Sequence, residues 1–67
     1  MRIADKIKKA LQSYAEGQRN KHLMNMTIQT QSPVGVAEHP DAMESIMHEA
    51  KKVAEYDDIL EVLNKYF

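Results

Sequence analysis

The sequence predicts a mainly α-helical protein: a first helix, then a strand or extended segment, then a long second helix. Three observations carry that expectation. Apolar residues recur at steps of three and four through residues 3–17 and again through 40–66, which is helical spacing. Between them apolar and polar residues alternate with a period of two, which is strand spacing. Charge, finally, is sorted by segment. Residues 2–22 hold six basic side chains against two acidic, a balance of +4, and residues 38–67 hold three basic against eight acidic, a balance of −5. Residues 23–37 carry no charge, so the net charge of −1 hides a dipolar chain. Opposed segments of that kind attract, within one chain or between copies.

The first helix is expected over residues 3–17. Ile3, Ile7, Ala10, Leu11, Tyr14 and Ala15 share one face, and Lys6, Lys8, Lys9 and Gln12 take the other. Gly17 suits a left-handed C′ position that ends the helix, although the pattern also permits continuation to about Lys21.

From residue 23 to 31, Met24, Met26, Ile28 and Thr30 alternate with Asn25, Thr27, Gln29 and Gln31. Isoleucine and threonine favour strands, and Ser32-Pro33 breaks the run. A lone strand leaves its backbone unpaired. It therefore needs a return through Val34–Val36, the same strand of a second copy, or another protein. An extended loop is the plainer alternative. Residues 32–38 are expected to turn.

Pro40 fits the first turn of the second helix, with Asp41 and Glu44 favourably placed for its dipole. Met43, Ile46, Met47, Ala50, Val53 and Ala54 form an apolar stripe that continues through Tyr56, Leu60, Leu63 and Phe67. Residues 40–66 therefore read as one helix, or as two with a break near Asp57.

A chain of 67 residues makes one small domain, in which five methionines stand where a stable core prefers leucine and phenylalanine. Cysteine is absent, which removes disulfides, thiolate catalysis and cysteine-based zinc sites and fits a reducing compartment. Charges interrupt every apolar run of the first residues, so neither a signal-peptide core nor a membrane-spanning segment is expected. Extra stability is expected from self-association or from a partner.

Fragments that look like chemistry have simpler explanations. His39-Pro40-Asp41 matches the tripeptide of J-domain co-chaperones, but the uncharged stretch before it is unlike the basic helix of that family. His48-Glu49-Ala50-Lys51-Lys52 begins like a zincin motif and has lysine where the second ligand belongs. Glu44 and His48 are spaced to share a helical face with Asp41, yet an ion needs ligands from a further element. Two glycines make no phosphate loop, and so short a chain has little wall for a catalytic pocket. No enzyme activity, cofactor or metal is expected.

Asn25-Met26-Thr27-Ile28, the run from Ser32-Pro33-Val34-Gly35-Val36 through Ala37-Glu38-His39-Pro40-Asp41, and Ala54-Glu55-Tyr56-Asp57-Asp58 together resemble small uncharacterised proteins of tailed phages that infect marine bacteria. The resemblance implies a viral accessory or virion protein, in the host cytoplasm or the particle, and brings no activity or site residues. The function expected is a non-enzymatic protein–protein interaction or assembly module, self-associating and with a viral or host protein partner. Met24, Met26, Ile28, Tyr56, Leu60, Leu63, Tyr66 and Phe67 are the candidate interface, its aromatic members the expected anchors. The alternative is a nucleic-acid-binding protein using Lys6, Lys8, Lys9, Arg19 and Lys21, or a regulator whose acidic face mimics nucleic acid.

Overall fold

The computed structural model describes residues 2–31 and 40–67. Two long α-helices, α1 (Ile3–Thr30) and α2 (Pro40–Tyr66), account for nearly all of them. Asp5 and Asp41 lie in the first turns and Lys65 in the last turn of α2, each with the sign the helix dipole favours. The backbone carbonyl of Arg2 accepts from the amides of Asp5 and Lys6, and the carbonyl of Thr27 accepts from Gln31 N–H at the far end of α1. α2 continues unbroken through Asp57.

The strand expected over residues 23–31 is not there: α1 continues to Thr30, and Gly17 sits inside it without a positive φ. Helix wins for a local reason. A helix satisfies its own backbone, whereas a strand at this position has no neighbour among the described residues. The two threonines that favour a strand are accommodated by back-bonding, Thr27 Oγ1 donating to the Leu23 carbonyl at 2.8 Å and Thr30 Oγ1 to the Thr27 carbonyl at 3.0 Å. Strand pairing with a second copy therefore falls away as well. The turn expected at 32–38, Val34–Val36 and His39 lie outside the described residues.

The helices run antiparallel, because Gln12 meets Asn64, Arg19 meets Asp57 and Asn25 meets Glu49. The described chain is long and thin, 53 × 16 × 11 Å, as two helices side by side with no third layer must be. The seam runs through Lys8, Gln12, Ala15, Arg19, His22, Met26 and Gln29 of α1 and Ala42, Ile46, Glu49, Val53, Tyr56, Leu60 and Leu63 of α2, with Gln18, Asn25, Ala50 and Lys52 also part-shielded beside it. Both seam sets step by four and three in strict alternation, the seven-residue repeat that keeps a contact seam between helices packed at a shallow angle.

The α1 side of that seam is mostly polar. Ile3, Ile7, Ala10, Tyr14, Met24 and Ile28 lie on a second four-and-three stripe, interrupted at Gly17 and Lys21 and about 140° around the helix from the seam. Among the described residues only Ala15, at 1% exposure, and Leu63, at 7%, are buried hydrophobics.

An alanine at position 17 meets nothing within 4 Å of its Cβ, and the backbone there is ordinary helix. Gly17→Ala is therefore expected to stabilise the protein by about 1 kcal/mol. Thermal unfolding followed by circular dichroism should show Tm rising by roughly 4–8 °C; a fall would mean that position 17 ends a helix after all.

Candidate functional site

Two features stand out along the helix pair: a polar cluster inside the seam and an apolar face outside it. In the cluster, His22 Nδ1 lies 2.6 Å from Glu49 Oε2, and Asn25 Nδ2 donates to the same oxygen at 3.5 Å. The side chains of His22 and Glu49 are 13% and 12% exposed, so the pair is largely shielded from water. An ionised carboxylate only accepts, which puts the bridging proton on Nδ1. Tyr56 stacks on the His22 ring, centroids 6.2 Å apart with planes 11° from parallel. The hydrogen bond from His22, reinforced by Asn25 and by the charges of His22 and His48, holds the Glu49 carboxyl below its ordinary value against the opposing cost of desolvation.

Chemically the cluster is a histidine oriented by a carboxylate. It opens onto neither of two surface grooves, one of about 240 Å³ lined by Ala4, Ile7, Lys8, Leu11, Leu63 and Phe67, the other of about 280 Å³ lined by Asn20, Leu23, Met24 and Thr27. Its geometry suits a lock on helix register. Hydrogen bonds to a shielded charge are directional and costly to leave unmade. The Arg19–Asp57 bridge, at 3.3 Å with side chains 32% and 54% exposed, adds little, about 0–1 kcal/mol.

The apolar face is the larger feature. Thirteen large hydrophobic side chains are exposed among the described residues, far beyond the scattered few that a soluble surface carries without consequence. They concentrate where the N-terminal half of α1 lies beside the C-terminal half of α2: Ile3, Ile7, Leu11 and Tyr14 on one helix, Ile59, Val62, Tyr66 and Phe67 on the other. Leu63 and Phe67 share the 240 Å³ groove with Ile7 and Leu11, so the two helices present one continuous apolar side there.

The eight interface residues expected from sequence divide between the two features. Tyr56, Leu60 and Leu63 lie on the α2 side of the seam and Met26 on the α1 side, while Met24, Ile28, Tyr66 and Phe67 are exposed. Ile3, Ile7, Leu11 and Tyr14 were legible as an apolar stripe, but nothing in the sequence alone said that α2 would leave them uncovered. The polar cluster had a signal too, the four-and-three spacing of Gln12, Arg19, His22 and Met26 around Ala15, hidden because most of those residues are polar.

The basic set does not form a patch. At about 100° per residue, Lys6, Lys8, Lys9 and Lys21 point to different sides of α1, and Arg19 is engaged by Asp57. Glu44 and His48 are exposed, and no group of three or more His, Asp or Glu among the described residues could hold an ion. No described helix is long and apolar enough to cross a membrane. No known protein family, curated protein or solved structure significantly matches the chain.

A carboxyl with a lowered folded-state pKa stabilises the fold fully above its unfolded value, and that contribution disappears as pH falls through the folded value. For Glu49 the loss falls below pH 4.5, the ordinary value. The difference in unfolding free energy between wild type and Glu49→Gln should therefore favour wild type at pH 7 and shrink as pH drops from 4.5 to 3. Urea titrations at each pH would measure it; a difference independent of pH would show that Glu49 is not held as a carboxylate by His22.

Proposed function

We propose that this protein is a non-enzymatic assembly module that self-associates through the apolar side of its helix pair. The observation that carries the proposal is the near-absence of a core among the described residues: two buried hydrophobic residues against thirteen large exposed ones. Burial of apolar area is the dominant favourable contribution to folding, and two α-helices of this length gain little from propensity alone. The surface area points the same way. A compact 7.7 kDa protein is expected to expose about 4,300 Å², whereas this chain exposes 5283 Å². The excess, roughly 1,000 Å², is of the order of the ~800 Å² that each partner contributes to a stable interface.

Self-association of a small helical unit is a structural or recruiting role. The tailed-phage resemblance adds the proposal that the assembly serves as a viral accessory or virion component and engages a further viral or host protein. Nucleic-acid binding has weaker support, since its basic residues share no face and one of them is already paired.

Light scattering on the purified protein should give a mass that is a multiple of 7.7 kDa. Ile7→Asp, at a position 55% exposed in a single copy, should reduce that mass towards one chain; in a free monomer such a surface change would shift stability by no more than about 0.5 kcal/mol. A wild-type protein that stays at 7.7 kDa at every concentration with full helicity would overturn the proposal.

A further inference from the structure

Resting on that self-association, we propose that the apolar face is covered by one second copy of this chain, related by a two-fold axis parallel to the helices. Each α1 then packs on the partner's α2. The first argument is position. Eight of the thirteen large hydrophobic side chains exposed among the described residues sit at one end of the pair, so a symmetric copy that covers those eight brings the same end of its own pair alongside. Two symmetric arrangements achieve this. A two-fold axis along the helices stacks α1 on the partner's α2; a two-fold axis perpendicular to them stacks α1 on α1 and α2 on α2.

Charge decides between the two. At this end α1 carries Arg2, Lys6, Lys8 and Lys9 against Asp5, while α2 carries Asp57, Asp58 and Glu61 against Lys65. Counted by helix end, stacking α1 on α1 brings a net +3 against +3, and α2 on α2 a net −2 against −2, although these side chains are spread around each helix rather than gathered on one flank. The axis along the helices pairs opposite signs at both contacts, and like-charge juxtaposition is what suppresses the other arrangement. Every neighbouring pair of helices is antiparallel in it, as in an up-and-down four-helix bundle, a feature that the perpendicular axis shares. The area fits a single partner, since the excess of roughly 1,000 Å² per chain is about one standard interface.

Cross-linking tests the arrangement directly, because the chain has no cysteine of its own. With one cysteine per chain, every disulfide must be intermolecular. Gln12 meets Asn64 and Arg19 meets Asp57, so Ile7 and Tyr66 lie at nearly the same height along the pair, as do Tyr14 and Ile59. Ile7→Cys mixed with Tyr66→Cys should oxidise to covalent dimer at least several-fold more than either variant alone, and Tyr14→Cys mixed with Ile59→Cys should behave likewise. These positions are exposed in the single chain, and circular dichroism would verify that each variant keeps its helices. Preferential cross-linking of Ile7→Cys with Tyr14→Cys would establish the perpendicular axis and overturn this arrangement while leaving self-association intact. Light scattering that gives a monomer, with no cross-link in any mixture, would overturn self-association itself; a mass above two chains would overturn the single-partner assignment.

Discussion

α1 carries two stripes about 140° apart around its axis, and one neighbouring helix can cover only one of them. α2 covers the stripe that runs from Lys8 through His22 to Gln29, which is mostly polar, and leaves Ile3, Ile7, Tyr14, Met24 and Ile28 to solvent. The rest of the structure depends on that choice. A seam of polar groups on one side and Ile46, Val53, Tyr56, Leu60 and Leu63 on the other can fix which residues face each other, but it buries little apolar area. Register comes from inside the pair, and the proposed self-association would add stability from outside it.

Within the seam the work is divided along its length. Ala15 is small enough to let the helices approach closely, and Leu63 fills the space near the chain termini. Gln12 and Asn64 tie that end at 2.8 Å, while His22, Asn25, Glu49 and Tyr56 hold the middle. A slip of one turn in either helix would leave the Glu49 carboxylate shielded and unpaired, which is more costly than the gain from making the bond. Polar pairs inside a helical interface are well suited to specifying one arrangement among several of similar energy. Methionine predominates at the opposite end, where Met24, Met43 and Met47 are exposed; its flexible, polarizable side chain suits contact with a surface of irregular shape.

Much of this was legible in the sequence. The periodicity of Ile46, Val53, Tyr56, Leu60 and Leu63 marks helix across residues 40–66 without deciding between one helix and two broken near Asp57, which the structure resolves as one, and the apolar spacing from Ile3 to Ala15 marks the start of the other. Residues 23–31 carry a strand signal because Met24, Met26, Ile28 and Thr30 alternate with polar residues. The same stretch also continues the four-and-three spacing of Ala15, Arg19, His22, Met26 and Gln29, and periodicity in so short a run cannot rank the two. Gly17 misled in a similar way, since glycine marks a helix end only where the backbone needs a positive φ. The opposed charges of the two halves, by contrast, anticipated that they would lie side by side, and Arg19 with Asp57 realises that attraction. Which face of α1 would remain open was beyond the sequence, because it depends on α2 choosing a polar stripe over an apolar one.

The central claim is that the fold completes its core in another chain, and the concentration dependence of thermal stability tests it most directly. If association supplies the missing burial, unfolding is coupled to dissociation, and Tm measured by circular dichroism should climb steadily as the protein is concentrated over two to three orders of magnitude. A Tm that is high and unchanged across that range would show that two helices and a polar seam are sufficient by themselves, and would contradict the account.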